Sequence, residues 1–396
     1  MTSAQPAAAT SAPRVRAPHL YEVDVVRILT FACVIAVHTT SHTAAADDVG
    51  LYALLGLVHF TREVFFALSG FVLVYSYLSK PVPMKKFWPR RFLLVGVPYV
   101  VWSAIYFVSA NIYSPYGTIP EMVGRFALKL VTGNAWYHLY FLLVTMQVYL
   151  LVPVIVWLIR KTRGHHVALL VTAGVFQLAL TAVYAYVPDL PEWLGGYAKV
   201  YFFSYLFFIL LGAVAADHAQ QLLAWVRGHR ALIGWVTLAT GLVTLGVFAF
   251  QHLALGFSLY RSGTPLQPIL MVWSVAVGLG FLAVGSWWAD RRRPTSFVAR
   301  GVDVASDRSF GIFLSHPLVL WILLWVGGDW VPNHVATPWL TLVAYVVVLV
   351  GAAAITELAR RSPVSLPLTG RPWIYRRTKP RPAAVASPGA GGPPPD

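Results

Sequence analysis

Arg27 and His38 bracket the apolar run RILTFACVIAVH, with ten residues between them. At 100° per residue, eleven steps turn a helix about 1100°, close to three full turns. The two side chains therefore leave the same face, roughly 16 Å apart along the axis. Asp24, three residues before Arg27, and His42, four after His38, extend the same polar stripe. Ionisable groups on so apolar a helix are costly and usually face the interior of a bundle or a wet cavity. A guanidinium suits an anion, and an imidazole can accept a proton near neutral pH. The plain alternatives are a snorkelling Arg27 paired with Asp24 and a neutral His38 bonded to a neighbouring helix. Two ionisable groups on one face favour a functional channel.

A second apolar segment, HFTREVFFALSGFVLVYSY (59–77), carries Arg62 and Glu63 near its middle. They read either as a structural ion pair or as a charge that orients a histidine. Ser69 and Gly70 admit a close ligand or a close helix. If the first segment runs outward and the second inward, His38 and the Arg62–Glu63 pair fall within about 5 Å in depth, in the outer half. Arg27 and Ser69 fall nearer the inner side. The expectation is a two-level tunnel, with anion binding at the inner level and proton transfer at the outer one. HTAAAD (42–47) fits the H-x4-D pattern of glycerolipid acyltransferases, but two fixed letters carry little weight, and the stretch falls in an outer loop. His38 and His42 have metal-ligand spacing without an evident third ligand, so no metal is expected.

The elements that must position these groups are membrane helices. Of 396 residues, 58% are hydrophobic and 11% charged, against about 25% charged in soluble domains. Ten segments are long and apolar enough to span: 24–44, 51–78, 91–112, 136–159, 167–187, 200–216, 231–250, 267–288, 309–326 and 338–358. Basic stretches such as KPVPMKKFWPRR (80–91), RKTRGHH (160–166) and DRRRPTSFVAR (290–300) alternate with cation-poor loops such as TAAADDVG (43–50) and PDLPEWLGG (188–196). This alternation predicts an all-α integral membrane protein of about ten transmembrane helices with both termini cytoplasmic. It also accounts for the net charge of +15 without nucleic acid as a partner. The single cysteine, Cys33, excludes an intrachain disulfide framework and a cysteine zinc site. The first span lacks a small-residue cleavage site, so no removable signal is expected. Residues 1–18 read as a disordered cytoplasmic tail, 19–360 as the membrane domain, and 361–396 as a basic, then Pro/Gly-rich disordered tail. The outer loop 113–135 has room for a short interfacial helix.

In this order the segments resemble the integral-membrane acyltransferase family 3, of the O-antigen acetylase type. Arg27 and His38 form its R-x10-H, and FFALSGF (65–71) is similar to its FF-x-x-SG-F. FWPRRFLLVGVPYVVWS (87–103), WYHLYFLLVTMQVYLLVP (136–153) and SFGIFLSHPLVL (309–320) resemble three later blocks. Leu94 stands where the family often has the second arginine of R-x-x-R. The resemblance implies transfer of an acyl group, usually acetyl, from acyl-CoA as cosubstrate, with no tightly bound cofactor. The acceptor it implies is a hydroxyl on a carbohydrate, a lipid-linked sugar or another cell-envelope or secondary-metabolite molecule. The implied partners are the bilayer, the acyl-CoA and that acceptor, and the implied location is the cell membrane, in a bacterium the inner or plasma membrane. His38 would be the general base, directly or through an acyl-histidine; Arg27 would hold the donor and Glu63 would orient His38. Arg90, Arg91 and Ser69 would bind the donor, and His138 and Arg62 the acceptor. A saccharide or anion carrier of the same membrane family, without acyl chemistry, is the competing reading.

Overall fold

The computed structural model describes residues 19–113, 117–328 and 334–374. Among them, nine helices are long and apolar enough to cross a membrane, or ten if one bent pair counts as a span. The chain is an all-α integral membrane protein. Of the expected tails, 1–18 and the 375–396 part of 361–396 lie outside the described residues.

Helix α1 (Tyr21–Thr43) carries the polar stripe, and its outer faces pack on neighbours rather than lipid: more than half of it is buried. The second expected span is broken. Helix α2 (Val49–Val58) stops at His59 and α3 (Thr61–Ser79) starts again beyond Phe60. His59 Nδ1 bonds the Gly263 carbonyl (2.8 Å) and Arg62 donates to the Pro265 carbonyl (2.7 Å), so a neighbouring loop pins the break. Helix α4 (Met84–Tyr113) contains Pro89 and Pro98, and α5 (Ile119–Thr132) is the short helix for which the outer loop has room. A Thr118–Glu121 capping box starts α5 and left-handed Gly133 ends it. No residue of α5 is buried, and Ile119, Val123, Leu128 and Val131 stay exposed on it, as an interfacial helix requires.

Helices α6 (Tyr140–Lys161) and α7 (His166–Tyr186) form a hairpin. Next comes the bent pair. α8 (Leu206–Asp217), preceded by a 3-10 turn from Phe202, meets α9 (Ala219–Gly228) at 91°, with His218 at the corner. The remaining spans are α10 (Arg230–Leu253), α11 (Pro268–Arg291), α12 (Phe297–Gly327) and α13 (Trp339–Arg360).

Gly70 and Gly212 set the closest helix contact. A Cβ on Gly70 would lie 2.3 Å from the Ile209 carbonyl oxygen, and one on Gly212 1.8 Å from that of Ala67. The small residue at 70 therefore serves backbone-to-backbone packing of α3 on α8.

Residues 361–374 depart from the expected tail. They fold back as a hook containing α14 (Ser365–Thr369). Trp102 Nε1 donates to the Leu368 carbonyl (3.1 Å), and Gly370, at φ 63°, turns against the Leu94 carbonyl. Arg360, buried at the end of α13, bonds Ser365 Oγ (3.2 Å) and ties down the hook's base. A basic, proline-containing stretch is thus ordered by apolar anchoring of Leu368 and by satisfaction of its carbonyls.

Candidate functional site

The polar stripe of α1 faces α12, and the two helices meet at two levels. At the first, Arg27 Nη1 donates to Ser306 Oγ (3.1 Å) and, more weakly, to Asp24 Oδ1 (3.4 Å). Ser306 Oγ donates to the same carboxylate oxygen (2.7 Å), and His19 Nε2 closes on the other (2.6 Å). Asp24 is therefore saturated, whereas Arg27 keeps most of its five donors and a quarter of its side chain exposed. One residue further along α12, Asp307 gathers Arg308, Arg360 (3.1 Å) and Arg371 of the hook (3.6 Å), and Arg308 also pairs with Glu357 (2.9 Å). The result is a mouth with more guanidinium than carboxylate, suited to an anion.

At the second level, about 15 Å along both helices, His38 meets His316 with ring centroids 5.3 Å apart. Tyr137 lies 4.5 Å from His38 and 5.2 Å from His42. His138 stands 5.5 Å from His316, held edge-on by Tyr106 and Phe313. His316 Nδ1 bonds the Phe313 carbonyl (2.7 Å). A carbonyl only accepts, so Nδ1 carries the proton and Nε2 presents a lone pair. That Nε2 is buried without a hydrogen-bond partner, and neither ring nitrogen of His138 makes a well-formed hydrogen bond; the Leu314 carbonyl, which accepts from Tyr106 (2.7 Å), is the backbone acceptor beside His138. Three buried imidazole nitrogens left unpaired in one place are costly. A hydroxyl or amide group placed among them would satisfy these nitrogens.

Tyr137, in ring contact with His38 and His42, also walls a vestibule of about 340 Å³, together with His42, Trp136, Pro317, Trp321 and Trp325. That volume falls within the usual range for small-molecule sites, and flat aromatic walls suit the apolar faces of a polar ring. An apolar cavity of about 350 Å³ lies between α1, α3, α8, α9 and α11. Its walls are almost wholly apolar, with His218 at one edge, and none of His38, His138 and His316 lines it.

Phenylalanines separate the two levels. Phe31 sits between Arg27 and His38 on α1, with its ring 4.4 Å from that of Phe65 and 5.6 Å from that of Phe313. Phe141 closes on Phe313 at 5.5 Å. The expected two levels are present, but an aromatic wedge divides them where an open tunnel was expected.

Glu63 does not orient His38. Its Oε1 bonds Arg62 (2.9 Å), and its buried Oε2 has no hydrogen-bond partner. Arg62 spans to the Pro265 carbonyl and lies 5.8 Å from the Tyr205 ring. The depth estimate fixed height and left direction open: α3 turns this pair toward Tyr205 and the 263–265 loop. Ser69 is half-buried on α3, one turn from Phe65. Arg90 is exposed at the foot of α4, and Arg91 is half-buried with Nη2 3.4 Å from Ser76 Oγ and its guanidinium over Phe87. Of the two, Arg90 is the more open. Where the second family arginine would fall, Leu94 meets the hook, which delivers Arg371 next to it in sequence after Gly370.

Sequence reasoning missed His316 as a site residue. Its signal was present: a histidine inside the apolar block SFGIFLSHPLVL, the same anomaly that singled out His38 on α1. A family model described as an acyltransferase domain matches residues 20–357. No curated protein and no solved structure matches the chain.

Proposed function

The chain belongs to the membrane acyltransferase family 3, and from that premise we propose that it moves an acyl group, acetyl in the first instance, from cytosolic acyl-CoA to a hydroxyl of a carbohydrate or other cell-envelope or secondary-metabolite acceptor. The observation that carries this reading is the convergence of His38, His138 and His316, the last two with unpaired buried nitrogens, beside an aromatic vestibule. Saccharides bring both features such a place would select: apolar ring faces for Trp and Tyr, and hydroxyls for imidazole.

The donor enters from the inner side. Arg90 and Arg91 meet its phosphates at the membrane surface, and Arg27, with the Arg371 hook beside it, draws the negative charge inward. The acyl-bearing arm then passes Ser69 and the phenylalanine wedge, which must yield for donor and acceptor to meet. In the closed state the wedge keeps water from the thioester.

The acceptor enters from the vestibule with its reacting hydroxyl against His38. The fixed lone pair of His316 Nε2 accepts from a second hydroxyl and holds the acceptor, and His138 binds a neighbouring group. His38 removes the hydroxyl proton as the oxygen attacks the thioester carbonyl. The C–S bond breaks, and the imidazolium of His38 returns the proton to the departing thiolate, so that acyl ester and free CoA are the products. Arg62 and Glu63, facing Tyr205, support α3 and take no part in this proton transfer.

Mass spectrometry of envelope carbohydrate from a deletion strain, with the intact and the His38→Ala genes restored, tests the proposal. An acyl mass lost on deletion and returned only by the intact gene is expected. An unchanged glycan and metabolite profile refutes it.

A further inference from the structure

We infer that His166, Asp217 and His218 form a divalent transition-metal site, best suited to zinc, at the corner between α8 and α9. The site lies beyond the opposite end of α6 from His138. It joins the turn after α6, through the first residue of α7, to the 91° corner of the bent pair. One ligand atom from each residue can be chosen so that all three lie within 4.8 Å of one another.

The hydrogen bonds fix which atoms face the metal. His166 Nε2 lies 2.9 Å from the Ile159 carbonyl. The carbonyl accepts, so Nε2 carries the proton and Nδ1 turns its lone pair inward. A metal-bound histidine usually has its far nitrogen held in this way. His166 Nδ1 faces His218 Nε2 at 2.9 Å. Tetrahedral zinc, with bonds of 2.0–2.1 Å, needs its nitrogens about 3.3 Å apart, so a slight opening of this pair admits the ion in place of the shared proton. Arg163 Nη2 sits 3.5 Å from Asp217 Oδ1, which leaves Oδ2 for the metal. His218 is exposed and His166 buried, so water can complete the shell from the open side. Two imidazoles and a carboxylate are the ligands zinc takes most readily outside thiolate sites.

Such an ion would clamp the α6–α7 turn to the corner, adding to the His166–His218 and Arg163–Asp217 contacts already there. The full chain, purified in detergent through an affinity tag free of histidine, is stripped with chelator and dialysed against zinc, and then its metal content is measured. One zinc per chain is expected, with a zinc-dependent rise in the unfolding temperature. His218→Ala, at an exposed position that folding tolerates, and Asp217→Asn each weaken zinc binding, the former roughly 100-fold or more, and abolish the temperature rise. His38→Ala leaves both readouts intact. Failure of the wild type to retain zinc, or full retention by His218→Ala, overturns the assignment.

Discussion

Replacing His38 with alanine separates a catalytic imidazole from a packing one. The ring stacks between Tyr137 and His316 and is only half-buried, so its removal costs stability within the ordinary range for point mutants, about 1–2 kcal/mol. A base acting in the transition state contributes about 10²–10⁴ in rate, or roughly 3–5 kcal/mol at 1.36 kcal/mol per decade. The variant should therefore reach the membrane at near wild-type level and lose at least a hundredfold in turnover, read as CoA release by reconstituted protein. Because the neutral imidazole takes the proton, kcat/KM of the wild type rises with pH and falls away as His38 is protonated. Glu63→Gln should leave that inflection in place, since the Glu63 carboxylate is engaged by Arg62 and does not bear on His38. His316→Ala should also lower turnover, and the double variant with His38→Ala should lose little more, as groups acting as one unit do. Full turnover by His38→Ala, or an inflection displaced downward by Glu63→Gln, refutes the reasoning.

The remaining expectations concern donor, packing and topology. Neutralising Arg90 and Arg91 together should raise KM for acyl-CoA with little change in kcat, and added salt should mimic the change through screening; an unaltered KM removes them from the donor site. Gly212→Ala places a methyl group 1.8 Å from the Ala67 carbonyl oxygen, so it should lower the unfolding temperature and membrane level markedly, with Ser69→Ala as a benign neighbouring control. Reporter fusions after residues 47 and 193 should read outside, and those after 85, 163 and 296 inside; one reversed position breaks the inner and outer assignment of the two levels.

The polar stripe of α1 was legible because helical periodicity alone places Arg27 and His38 on one face, and the partners of that stripe were not. His316 is 278 positions from His38, and only the packing of α12 on α1 brings the rings together. Glu63 shows the limit of depth reasoning: residues at one height can face different neighbours, and the break at His59 and Phe60 fixes the direction through the 263–265 loop. The sixth span was read as residues 200–216, and the 91° turn that follows it at His218 is one that no hydropathy window reports. The hook of residues 361–374 was hidden by its composition, since a basic stretch with prolines reads as a tail until Trp102 and Arg360 supply its anchors. Gly70 was readable as a close-approach position, and its partner, the Ile209 backbone, emerged only from the fold.

Breaking a thioester and forming an ester is what separates an acyltransferase from a carrier. Liposomes carrying the purified protein, with radiolabelled acetyl-CoA on the side of the Arg90 face and a panel of envelope saccharides on the other, distinguish the two. Free CoA and acetylated saccharide should appear in equal amounts, and both should be lost in His38→Ala. Saccharide crossing the membrane with the thioester intact would refute acyl transfer and favour a carrier.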